Sequence, residues 1–167
     1  MKSIIAILFT IASFGAHAKH DHGSPPRPTD QRSTPSFKDE KVGAAYTNYI
    51  HLKDALVASN TSDAKKAAAE LETMLQATSG KKAAQTAGDI AKAKSIEEQR
   101  MLFTVLSDEM TVLIKDSKLS SGVIYLQYCQ MANNNEGAFW LSNEKEIKNP
   151  YFGESMLKCG SVTEAIQ

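Results

Sequence analysis

The sequence predicts a mainly α fold, an antiparallel bundle of three or four helices closed by a small C-terminal β-hairpin or loop cap that carries a Cys/Met cluster. Three observations predict it. Apolar residues recur at three- and four-residue steps from about residue 37 to residue 117, the period of a helix face. After Gly122 the pattern changes to a short run of β-branched, aromatic and aliphatic residues, which suits a strand. Both cysteines, each with a methionine close by, then fall within residues 122–160.

Ahead of the helices, Lys2 leads into an apolar core from Ile4 to Phe14 and the small residues Ala16-His17-Ala18, the order of a cleavable export signal. Cleavage is expected near Ala18, leaving a periplasmic or secreted protein. The mature chain has no stretch approaching the roughly 20 apolar residues of a membrane span. Residues 19–36 hold four prolines and hardly an apolar side chain, so they read as a disordered tether. His20 and His22 lie near the new amino terminus, where they form a secondary candidate site for divalent copper or zinc, against the plainer expectation of two solvated imidazoles.

Residues 37–167 are expected to form one domain. Helical sequence starts near Phe37, where a hydroxyl from Ser36 can cap it. Val42, Ala45, Tyr46, Tyr49, Leu52, Lys53 and Leu56 then mark one face, ending near Ser59-Asn60. His51 flanks this stripe, as a half-exposed residue or a further secondary metal ligand. Thr61-Ser62-Asp63 caps a second helix with Ala64, Ala67, Ala68, Leu71, Met74 and Leu75 on one face. Residues Lys81 to Gly88 are ambiguous, alanine-rich but bounded by glycines, and suggest a short extra turn. Asp89 opens the longest pattern, with Ile96, Phe103, Leu106, Met110 and Leu113, running to about Ser117. Met74, Met101 and Met110 are expected as core filler, and Arg100 as a solvated or salt-bridged residue.

Val123 to Tyr128 predict a strand leading into Cys129, Asn133 to Gly137 a turn, and Ala138 to Leu141 a second strand. Asn149-Pro150 sets another turn, and Tyr151 to Lys158 can close one or two helical turns. Residues Ser161 to Gln167 carry no clear pattern.

On a strand, residues two apart share a face, and on a helical turn residues three apart do, so Cys129 with Met131 and Met156 with Cys159 form two convergent pairs. Thiolates and thioethers are soft donors that select monovalent copper over calcium or magnesium. The alternative is a Cys129–Cys159 disulfide, the usual state of an exported cysteine pair, contributing about 3 kcal/mol or somewhat more for a loop of this length. A disulfide removes both thiolates, so the two states exclude one another.

Other chemistry finds little footing. Nineteen basic residues balance nineteen acidic ones, which argues against a polyanion-binding face and hence against nucleic acid as a partner. No serine-protease-like arrangement, phosphate loop or His-Glu-x-x-His helix occurs, and His17 would leave with the signal, so no enzymatic activity is expected.

Four short motifs in order, Tyr128-Cys129-Gln130-Met131-Ala132, Ala138-Phe139-Trp140-Leu141-Ser142, Asn149-Pro150-Tyr151-Phe152-Gly153 and Met156-Leu157-Lys158-Cys159-Gly160, with the upstream step Arg100 to Phe103, resemble an exported bacterial family of unknown function. Its members resemble stand-alone periplasmic proteins and the tail domains of adaptor subunits in heavy-metal efflux pumps. Where that family usually reads Cys-Pro-Met, this chain has Cys-Gln-Met. The resemblance implies a metal-handling role with copper, with Cys129, Met131, Met156 and Cys159 as ligands. It implies periplasmic efflux components as partners, and Trp140, Tyr151 and Phe152 as supporting residues packed around the sulfurs.

Overall fold

Helix formation begins at Asp39, whose carboxylate accepts the Lys41 amide at 2.9 Å and so satisfies one of the free donors of the first turn. The structure, a computed structural model, describes residues 34–167. The predicted signal segment and His20 and His22 in the tether lie outside the described residues.

The first helix, α1, runs Glu40–Val57, three residues later than the sequence suggests. The reason is local. Ser36–Phe37 is extended as strand β1 and pairs antiparallel with β2, Leu119–Ser121, so the chain is still in a sheet where a helical start was expected. The predicted stripe is nonetheless the buried face, Lys53 included, whose ammonium meets the Asp54 carboxylate at 2.7 Å.

Helix α2, Thr61–Leu75, is capped by Asn60, which accepts the Ser62 and Asp63 amides. The ambiguous stretch is a full helix, α3, Lys81–Lys92, and takes in Asp89, the predicted start of the next. Gly88 reads as a break but is a packing position, because a Cβ there would lie 2.8 Å from the Glu72 carboxyl of α2. The longest helix, α4, is Ile96–Asp116. Its start is set by Ser95, which accepts the Glu98 amide, while the Glu98 carboxylate accepts the Lys94 amide at 2.6 Å. This exchange resembles a capping box.

Each helix packs on its sequence neighbour, and α4 also meets α1, α2 and the sheet. The sheet is three-stranded and antiparallel in the order β4-β3-β5, with β3 Ile124–Cys129, β4 Ala138–Ser142 and β5 Ser161–Ile166. The described residues are thus mostly helical, with four long helices and a small C-terminal sheet. The strand β5 falls where the sequence shows no pattern. It is an edge strand whose residues are almost all exposed, so its side chains carry no alternation and only its pairing with β3 defines it.

Three buried tyrosines, two from α1 and one from the loop after Asn149, tie their segments to β4 and the residue after it. The Tyr49 hydroxyl accepts the Leu141 amide at 3.1 Å and shares a hydrogen bond with Ser107 at 2.8 Å. Tyr151 donates to the Phe139 carbonyl at 2.5 Å, and Tyr46 donates to the Asn143 side chain at 2.8 Å. Burial holds all three hydroxyls protonated well above the usual tyrosine range. Two of these contacts fall on backbone groups of β4, an edge strand, and cover part of its open side. Phe37, Tyr46, Tyr49, Phe103, Tyr151 and Trp140 form a continuous series of ring contacts, with centroids 5.3–6.2 Å apart, from β1 through the helices to the sheet.

Candidate metal centre

Cys129 closes β3, opposite Ala138 of β4, and is 1% exposed. On the other side of β3 the antiparallel register pairs Tyr128 with Ser161. That register carries the chain just before Ser161, Cys159-Gly160, alongside Cys129. Both cysteines are thiols, and the Cys129 side chain neighbours that of Cys159 closely enough to act on its titration. This contact, reinforced by burial and the like charge of the neighbouring sulfur, pushes the Cys159 thiol up to about 11. Cys159 therefore stays protonated at neutral pH, and a metal ion must displace its proton to use the sulfur.

The segment before Cys159 is held by residues the sequence does not flag. Asn149 is fully buried and donates from Nδ2 to the Cys159 carbonyl at 2.8 Å. Its Oδ1 accepts the amides of Tyr151 at 2.8 Å and Phe152 at 3.3 Å, and its own amide donates to the Leu157 carbonyl at 2.9 Å. The expected helical turns between Tyr151 and Lys158 are a single 3-10 turn, Gly153–Met156, because Asn149 gathers both ends of the loop.

Arg100, expected as a solvated or salt-bridged residue, feels the Glu97 charge and is in addition a half-buried clamp. It donates from Nε to the Pro150 carbonyl at 2.9 Å, and from Nη2 to the Leu56 carbonyl at 3.0 Å and the Ser59 hydroxyl at 2.8 Å. The Leu56 carbonyl belongs to the last turn of α1 and also accepts the Ser59 amide at 3.1 Å, so one guanidinium ties the end of a helix to the loop. Gly153, at φ +58°, makes room for it, since a Cβ there would lie 2.8 Å from Arg100 Nη2.

Met131 follows Cys129 by two residues but does not turn inward with it. It is 45% exposed, and it opens the segment Ala132–Asn135, in which Asn133, Asn134 and Asn135 all take positive φ. The left-handed region is tolerated best by glycine and asparagine, which accounts for the three asparagines in a row. Met131 and Met156 both line a cleft of about 580 Å³ with Arg100, Tyr151, Phe152 and these asparagines. Cys129 and Cys159 do not line it. The predicted ligand set is thus placed as two pairs, a thiol pair in mutual contact and a thioether pair on the cleft wall.

Of the supporting aromatics, Trp140 is fully buried, and its ring edge would lie 2.8 Å from a Cβ at Gly160, next to Cys159. Tyr151 is buried between Phe103 and Trp140, and Phe152 is half-buried on the cleft wall. His51 is exposed on α1 and does not line the cleft. Among the described residues, no three or more His, Cys, Asp or Glu side chains come together as a metal-binding group.

Met101, expected as core, is 62% exposed and lines the same cleft, and Met74 is 36% exposed. Of the three helical methionines only Met110 is buried. The signal was available in the sequence. Met101 lies two residues before Phe103 and one after Arg100, off the Phe103-Leu106-Met110 stripe.

Residues 45–122 match a family described as a protein of unknown function (DUF3347). The match covers less than half of the chain, from within α1 to the residue after β2, and includes Arg100 and Phe103. The sulfur-bearing segment follows it. No curated protein and no solved structure matches the chain.

Proposed function

We propose that this is an exported, periplasmic protein that binds a soft metal ion, copper(I), through Cys129 and Cys159 with help from Met131 and Met156, and that buffers the ion or passes it to components of a heavy-metal efflux system. The helices form an antiparallel bundle that serves as scaffold, and no catalysis is involved. The observation that carries the proposal is the contact between the two thiols, with a methionine two residues from one and three from the other. A monovalent soft ion accepts two thiolates in near-linear coordination and gains from neighbouring thioethers, which release as readily as they bind.

Copper(I) titration under anaerobic, reducing conditions tests it. Wild type is expected to take up one thiol-dependent ion with release of thiol protons, and a Cys129→Ser/Cys159→Ser variant to lose that proton-releasing uptake.

The same contact favours a second function. Two thiols within hydrogen-bond reach can oxidise to a disulfide, which would make the protein a stapled interaction module that binds another exported protein and no metal. A protein isolated fully oxidised, and unable to take copper after reduction, would have this second function.

A further inference from the structure

We propose that Met101, Met131 and Met156 form a metal site of their own, a cluster of three thioethers that takes monovalent copper or silver without the cysteines. The proposal shares with the function above its choice of ion and the thioethers of Met131 and Met156, and differs in taking Met101 and neither thiol.

Three of the six methionines in the chain line one cleft, and they come from three separate segments: α4, the turn after β3, and the last residue of the 3-10 turn. Each segment is fixed by a different device. Met101 rides on a long, capped helix. Met131 precedes the left-handed asparagine turn, which is closed by bonds from the Glu136 and Gly137 amides to the Asn133 and Ala132 carbonyls. Met156 accepts the Cys159 amide on its carbonyl at 3.0 Å and lies in the loop gathered by Asn149.

Met101 and Met131 are well exposed, 62% and 45%, so neither serves to fill the core. A thioether is neutral and soft, and its lone pair needs no deprotonation, so such a cluster prefers copper(I) or silver(I) and binds them without proton release. The Tyr151 and Phe152 side chains line the same cleft. The charged groups facing the cleft are Arg100 and Glu97. Arg100 is turned onto three oxygens of the protein, and the Glu97 carboxylate, held below its usual range by its own backbone amide and the Ser95 hydroxyl, supplies a compensating charge.

The test is a silver(I) titration of the full chain bearing Cys129→Ser and Cys159→Ser and labelled with 13C at the methionine methyls, in chloride-free buffer. The expected result is that the methyl signals of Met101, Met131 and Met156 shift together and saturate at one equivalent, equally at pH 6 and pH 8, while those of Met74 and Met110 stay still. Met101→Leu should weaken this binding at least tenfold. A Met101 signal that does not move, or a Met101→Leu protein that binds as tightly, overturns the proposal.

Cys129 is buried, so its replacement could unsettle the fold. Met101→Leu in the wild-type background is a second route, and it should lose one silver equivalent and keep the cysteine-dependent one. The two proposals fail separately. Still methionine signals beside thiol-dependent uptake would sink the thioether site alone, whereas moving methionine signals with no extra uptake by the cysteines would sink the thiol site alone.

Discussion

Asn149 Nδ2 donates to the carbonyl of Cys159 at 2.8 Å, so a fully buried amide ten residues upstream fixes the backbone of one of the two thiols. The same side chain accepts two further amides, and all of these partners lose their bonds together if it is removed. Asn149→Ala should destabilise the domain by about 2–4 kcal/mol, since buried groups left unsatisfied cost about 1–3 kcal/mol each with partial relief from relaxation. Urea unfolding followed by circular dichroism measures it. The thiols of the variant should also alkylate faster than those of wild type.

Arg100 is the second fixture of the loop. Arg100→Lys keeps the charge but cannot reach Pro150, Leu56 and Ser59 at once with a single ammonium, so it should cost about 1–3 kcal/mol despite being conservative. Gly153→Ala should act on the same contact from the other side, by pushing the guanidinium away and straining a positive φ. The double variant should lose less than the sum of the two, which a double-mutant cycle measures.

Much of this framework is legible in the sequence, and the parts that are not share a cause. The α1 stripe from Val42 to Leu56 and the strand into Cys129 are read correctly because burial on one side imposes a period. Gly88 and Arg100 mislead because their roles depend on residues far away in the chain, Glu72 in one case and Pro150, Leu56 and Ser59 in the other. No local pattern encodes such partners. The strand β5 is silent because an exposed edge imposes no alternation, and Met101 is misplaced because a methionine in a helix is ordinarily core. The two sulfur pairs are visible as spacing, but their division between a thiol contact and a cleft wall follows from the chain reversing at the asparagine turn.

The Cys159 thiol sets a pH dependence whose sign is fixed. Its folded value of about 11 lies above the ordinary 9.0, so the folded protein holds the proton more tightly than the unfolded chain. The resulting stabilisation is present in full below pH 9 and is lost as pH rises toward 11. At pH 8 the thiolate fraction is roughly a hundredfold below that of an ordinary thiol, partly offset by greater intrinsic nucleophilicity, so alkylation of Cys159 should be about tenfold slower. Cys129→Ala removes the largest cause of the shift and should speed it. An unchanged rate would show that the two sulfurs are not in contact in solution.

Tyr49 couples the helices to the sheet through one oxygen. Tyr49→Phe keeps the ring stack with Phe103 but strands the Leu141 amide and the Ser107 hydroxyl, both buried, and should cost about 1–3 kcal/mol. Hydrogen exchange should quicken at Leu141 more than at Leu126, which lies on the central strand.

The central claim is that the thiol pair binds a soft cation, and anaerobic titration of the freshly reduced full chain with copper(I), with free thiols counted before and after, tests it most directly. The account predicts two free thiols at the start, thiol-dependent uptake of one ion that protects both from alkylation, and tightening of that uptake as pH rises from 6 to 8 because protons are released. The same number of ions taken up with the same proton release by the Cys129→Ser/Cys159→Ser variant, or reduced thiols that remain fully reactive in the presence of copper, would contradict it.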